Sequence, residues 1–310
     1  MPSRTFLCVS IDCECDKGPG WKTRRPLSFQ GVHLGIGERL QPTFQCLGAK
    51  PTYLLSPELL RDARCLERLS SLEDCELGTH LHGELAEPGA CEPEVTREAQ
   101  RDYTEPVERE KLAWLSATFR SALGRAPRSF RAGRFGIGHR TVPLLESLGY
   151  AVESSVTPYV DWGRVSRGLS FVGAPTQPYH PDPANPARIG KSSLLEVPVT
   201  ILPRFLAGLP IVGRFVEHRW LRPTRTTGAQ LIEIAREAIA HTRRSGSGAT
   251  VVLNAMFHNV EVVAGMSPYA ASDEAARCIL DRLSTLLAWT RKEGIRSIGL
   301  GDVPGILESS

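Results

Sequence analysis

The chain has 310 residues, 41% of them hydrophobic and 23% charged, an ordinary globular composition that excludes disordered, collagen-like and coiled-coil classes. Its formal net charge is only +3, with the basic residues spread along the chain, so neither a nucleic-acid nor a membrane surface is indicated. No run approaches the ~18 apolar residues that span a bilayer, no signal peptide is evident, and the eight dispersed cysteines read as reduced thiols, so a soluble cytoplasmic protein is expected.

Short apolar runs alternate with amphipathic stretches through the first half. Residues 6–11 read as a buried strand and 36–47 as a helix. Residues 51–55 are strand-like, and 57–71 helix-like with Ser56 in capping position. A short strand is expected at 76–82, a long amphipathic helix at 105–123 and a strand at 129–132. A helix at 141–148 and a strand at 150–155 follow. This β-then-α rhythm implies parallel strands joined by helical crossovers.

The rhythm breaks across a proline-rich stretch at about 158–223, around one clear strand at 194–199. Its aromatic residues Tyr159, Trp162, Phe171, Tyr179, Phe205, Phe215 and Trp220 favour an ordered, substrate-shaping insertion over a linker. Regular elements return with a helix at 228–242, a strand at 249–256, a helix at 273–291 and a strand at 295–300. Seven or eight such units predict a single barrel-like α/β domain over 1–310.

Four polar clusters lie at predicted strand ends, where parallel α/β folds build their sites. Asp12 and Glu14 share one face of an extended chain, with Cys13 and Cys15 on the other. His80 and His82 share a face by the same rule, and imidazole with carboxylate suits a divalent transition ion. Solvated strand ends would carry the same residues. A thiolate site on Cys13 and Cys15 would need the opposite face and lacks the usual Cys-x-x-Cys spacing. Arg131, in the third cluster, leaves a strand placed to clamp a carboxylate and hold it ionised. Gly133, Gly136 and Gly138 follow it in the wrong order and place for a dinucleotide loop. His258, directly after the strongest apolar run, is a fit proton donor, or a histidine bonded to backbone. Neither a serine-hydrolase elbow nor a His-Glu-x-x-His motif is present.

In this order the clusters resemble the polysaccharide deacetylase-like, NodB-homology hydrolases over roughly residues 5–303, a resemblance that implies an irregular (β/α) barrel of about seven parallel strands. Ser10-Ile11-Asp12-Cys13-Glu14 is similar to the family's first motif, and Leu77-Gly78-Thr79-His80-Leu81-His82 to its metal-histidine motif. Phe130-Arg131-Ala132-Gly133-Arg134-Phe135-Gly136 is similar to the third motif, Asp161-Trp162 to the Asp-Trp motif and Met256-Phe257-His258 to the last. A bacterial branch with a GTHLH second motif is nearest. The resemblance implies one divalent ion, zinc first with Co, Fe, Ni or Mn as alternatives, on Glu14, His80 and His82. It implies Asp12 as general base held ionised by Arg131, and His258 as acid oriented by Asp161. Arg134, Trp162 and Glu261 are implied substrate contacts. His80 and His82 stand two apart where most members have four, which makes His80 the firmer ligand. The implied reaction removes an N-acyl group, an acetyl in the simplest case, from an amino sugar. The alternatives are a deformylase or amidase on a smaller or lipid- or nucleotide-linked substrate, and an inactive sugar-binding barrel.

Overall fold

The computed structural model describes residues 4–89, 99–204, 218–246 and 250–309. Period-two alternation organises its sheet. In β1 (Thr5–Cys13), Leu7, Val9, Ile11 and Cys13 face outward into the main apolar cluster, while Phe6 and Cys8 face inward. The rhythm places Ser10 and Asp12 inward as well.

A helix wound more widely than an α-helix (Gly31–Leu40) runs directly into α1 (Gln41–Leu47). Then come β2 (Pro51–Leu55), α2 (Ala63–Ser70), β3 (Glu76–Leu81), α3 (Glu105–Leu123), β4 (Ser129–Ala132), α4 (Thr141–Ser147) and β5 (Val152–Glu153). The proline-rich stretch contributes a hairpin, β6 (Pro181–Asp182) with β7 (Asn185–Ile189), then β8 (Leu195–Glu196) and a pair, β9 (Ile201–Leu202) with β10 (Arg219–Trp220). The chain ends with α5 (Gly228–Ser245), β11 (Val251–His258), α6 (Asp273–Lys292), β12 (Arg296–Ser297) and α7 (Val303–Glu308).

The main sheet runs β11-β1-β2-β3-β4-β5-β8, all parallel, with β12 pairing the start of β1. Between β8 and β11 a bent segment replaces a ladder. There Thr200 donates its amide to the Asn254 carbonyl (2.9 Å), and its Oγ1 accepts the Asn254 amide (2.8 Å). The expected irregular (β/α) barrel is therefore present. Its lower interior is apolar, filled by Phe6, Leu54, Val152, Val252 and Ile298, and a larger apolar layer lies between sheet and helices. The polar residues gather at the upper, C-terminal end.

Several boundaries differ from expectation for identifiable reasons. The first helix starts at Gly31, because its glycines mark close packing rather than a break. A Cβ on Gly31 would lie 2.7 Å from Val260 Cγ1, and one on Gly35 only 2.8 Å from the Asn259 carbonyl. Asp16 opens this helix, its carboxylate accepting the amides of Gln30 (2.7 Å) and Gly31 (2.8 Å). The helix expected from Ser56 begins instead at Ala63. Its cap is Asp62, which accepts the Cys65 amide at 2.8 Å, while the buried Ser56 hydroxyl has no partner among the described residues. The strand expected at 194–199 is laddered only at Leu195–Glu196 before Pro198, which has no amide to donate. In the proline-rich stretch Phe171 and Tyr179 are buried, as an ordered insertion requires. Phe205, Phe215 and Cys91 lie outside the described residues.

Asn259, against which Gly35 packs, also holds the backbone of Glu14. Gly35→Ala should therefore destabilise the protein by about 1–3 kcal/mol, the usual cost of overpacking. Urea unfolding measures this, and a loss below a few tenths of a kcal/mol would show that the contact relaxes freely.

Candidate active site

Arg131 on β4 is fully buried and reaches across the barrel interior. It donates through Nη1 to Asp12 Oδ1 (2.7 Å), through Nη2 to the hydroxyls of Ser10 (2.7 Å) and Ser154 (2.9 Å), and through Nε to the Ser154 carbonyl (2.6 Å). Asn254 extends the network to Ser10 and Ser154 from β11. Burial works against an ionised Asp12, but the guanidinium outweighs it with help from His80 and His258, so the carboxyl stays below its usual range. Removing one partner of so buried a pair typically costs about 3–5 kcal/mol.

Glu14 lies one residue beyond β1. Asn259 fixes its backbone by accepting the Glu14 amide (3.0 Å) and donating to its carbonyl (3.1 Å). His80 and His82 converge on one atom, Glu14 Oε1, with their Nε2 atoms 3.3 and 3.1 Å away. His80 Nδ1 lies 3.1 Å from the Arg131 carbonyl, a bond that needs the proton on Nδ1 and turns Nε2 toward the carboxylate. His82 Nδ1 faces Glu84 Oε1 at 3.5 Å, and Glu84 in turn pairs with Arg134. Gly133 makes room for this ring, since a Cβ there would sit 3.0 Å from it.

This arrangement fits a divalent transition ion. The three ligand atoms lie within 4.8 Å of one another, both imidazoles are oriented from behind, and two ring nitrogens facing one carboxylate oxygen make the donor set that a bound cation would join. Without the ion a proton takes that role: burial opposes charge on His82, yet Glu14 and Glu84 push its pKa up to about 9. A second grouping, His33, Asp62 and Cys65, is accounted for by helix capping, because Asp62 holds the Cys65 amide.

His258 closes the other side. Its register partner on β1 is Asp12, and its Nε2 lies 3.9 Å from Asp12 Oδ2 and 3.8 Å from Glu14 Oε1. Its Nδ1 is held at 2.8 Å by Glu261, not by Asp161. The Asp161 carboxylate instead accepts the Gly163 amide in an exposed turn, which corrects the expected pairing. Glu261, implied above as a substrate contact, is instead engaged within the protein. It is fully buried, bonded also to Arg222 and the Thr224 hydroxyl, and these partners with His258 overcome burial to hold its pKa near 2. Trp162 stacks on Phe135 at 5.3 Å and stands behind the cavity wall rather than in it.

The cavity above these groups measures about 200 Å³ and is lined by Asp12, Glu14, His80, His82, Arg134 and His258, with Lys17, Trp21, Lys22 and Phe135 at its sides. Trp21, Arg134 and Phe135 all have positive φ (61°, 56° and 53°), a concentration of backbone strain typical of functional sites. Nothing in the sequence singles out Lys17 or Trp21. Glu84 continues the His80-x-His82-x-Glu84 alternation, a signal that was available.

No family model matches the chain, and no curated protein sequence matches it. Solved structures do match in fold. A protein titled a polysaccharide deacetylase from Mycobacterium smegmatis is 16% identical with a TM-score of 0.56, over 100% of this chain and 92% of that one. A glycoside hydrolase/deacetylase from Parabacteroides distasonis is 12% identical with a TM-score of 0.68, over 99% and 72%. An allantoinase is 14% identical with a TM-score of 0.57, over 100% and 93%. The fold is thus the NodB-homology barrel.

The raised pKa of His82 predicts how the metal-free protein responds to pH. A folded value near 9 against an unfolded value of about 6.5 adds stability that is complete below pH 6.5 and lost as pH rises through 9. Chelator-treated protein should lose stability over that interval, and His82→Gln should lack this component. A wild-type curve parallel to the variant's would contradict the assignment.

Proposed function

We propose that the protein is a metal-dependent hydrolase that removes an N-acyl group, an acetyl in the simplest case, from an amino sugar or related carbohydrate. The observation that carries this reading is the convergence of Glu14, His80 and His82 beside an ionised Asp12, with His258 facing them. A divalent ion on those three ligands would supply polarisation of the amide carbonyl and a lowered pKa for the attacking water. The nitrogen-and-oxygen donor set suits zinc, and equally accepts Co, Fe, Ni or Mn.

The protein's own groups divide the remaining work. Arg131 keeps Asp12 deprotonated, so that its free Oδ2 can take a proton from the attacking water. Glu261 fixes His258 at Nδ1 and leaves Nε2 toward the cavity, placed to give a proton to the departing amine. Trp21 and Phe135 flank the cavity as faces against which a sugar ring can stack. The small cavity favours a terminal residue or a small amide over the interior of a polymer, and one fold neighbour is an allantoinase. Amide hydrolysis on a non-sugar substrate is therefore the second reading. A reducing, cytoplasmic setting is part of the proposal, supported by the seven free cysteines among the described residues. No described helix is long and apolar enough to cross a membrane.

Three experiments test the reading. Metal analysis with a panel of N-acetylated and N-formylated sugars should give one transition ion per chain and turnover of at least one member. Asp12→Asn should keep the ion and lose about 10²–10⁴-fold in kcat, whereas loss of metal would make Asp12 a ligand. His258→Ala should depress amide hydrolysis by about 10²-fold or more while sparing an aryl acetate, whose leaving group needs no proton. Equal losses on both substrates would remove His258 from the acid role.

A further inference from the structure

We propose that Lys17 restricts Glu14 to single-oxygen coordination of the bound ion, making Lys17 a positioning residue for the reaction. The inference rests on the metal-dependent reading above and concerns how the ligand shell is limited. The two oxygens of Glu14 have different surroundings. Oε1 is the atom on which both histidine Nε2 atoms converge, at 3.3 and 3.1 Å. Oε2 instead faces the Lys17 ammonium at 2.8 Å.

Lys17 is not a flexible surface chain at this point. It is 6% exposed, its Nζ also reaches Thr23 Oγ1 at 3.3 Å and Cys15 Sγ at 3.8 Å, and its amide donates to the Met266 carbonyl at 2.9 Å. Its backbone is bridged to Thr23 as well. An ammonium anchored on three sides keeps Oε2 occupied. Only Oε1 then remains to join His80 and His82, giving the three-ligand arrangement that leaves positions open on the cavity side. A carboxylate free to bind through both oxygens would fill one of those positions and neutralise more of the ion's charge.

The alternative is that Lys17 merely balances Glu14 in the fold, and cobalt substitution separates the two. Full-length protein is loaded with Co(II), its visible spectrum recorded, and its affinity measured against a competing chelator. Wild type should show the strong bands of low-coordinate cobalt. Lys17→Met should show weaker bands of a coordination number higher by one, with cobalt bound no less tightly because a nearby positive charge is gone. Its kcat on whichever N-acyl sugar is turned over should fall about 10–100-fold at unchanged KM, the usual cost of losing a group behind a ligand. Lys17→Arg should restore the spectrum and most of kcat. An unaltered spectrum in Lys17→Met, or weaker cobalt binding as its only change, overturns the proposal. If Lys17→Met does not fold, Lys17→Gln carries the same comparison, and a spectrum unaltered from wild type in that variant equally overturns the proposal. Failure of wild type to bind any cobalt would instead strike the metal-dependent reading itself.

Discussion

A single buried cation at the centre of the barrel constrains nearly everything above it. Arg131 cannot lose its charge, so its interior position obliges the surrounding strands to supply acceptors. Asp12 and Ser10 from β1 and Ser154 just past β5 do so directly, and Asn254 on β11 ties Ser10 to Ser154. The guanidinium thus fixes strands from opposite parts of the sheet. Its backbone carbonyl also turns His80. The same residue therefore holds the proposed base ionised and orients one of the proposed ligands.

The carboxylates around this centre show how a buried acidic site stays ionised. Asp12 leans on Arg131, Glu84 on Arg134 and His82, Glu261 on Arg222 and His258, and Glu14 on Lys17 and both histidines. Each pairing outweighs a desolvation penalty that would otherwise protonate the group. Cations and anions alternate through the site, so that neighbours compensate one another locally. The gap in that pattern lies between Glu14 Oε1 and the two imidazoles, where the donors fit a divalent ion.

Much of this was legible in the sequence because period two is a strong rule. Asp12 with Glu14 and His80 with His82 needed only the assumption of extended chain, and the outward place of Cys13 followed from the same rule. Arg131 and His258 were readable from their positions at strand ends. What was not legible depends on tertiary packing. His258 takes its partner from three residues further on, through the short turn Asn259–Val262, rather than from the Asp-Trp motif. The helix expected from residue 36 starts at Gly31, where Gly31 and Gly35 are small because another segment presses against them. Ser56 was the expected cap, but Leu59 and Leu60 between it and the helix pack into the core, and Asp62 caps the helix instead.

The way the strands are paired also limits which changes in chain length the protein can survive. Asp12 stands opposite His258 and His80 opposite Arg131 because of ladder register, not loop placement. Deleting or inserting one residue within β1 would send its polar set outward into the helical layer and bring Leu7, Val9 and Ile11 into the barrel. Substitution at one site residue removes one function, whereas such a slip would dissolve the constellation at once. Length variation is therefore confined to the connections between strands, where the wall of the cavity can be rebuilt without moving its floor.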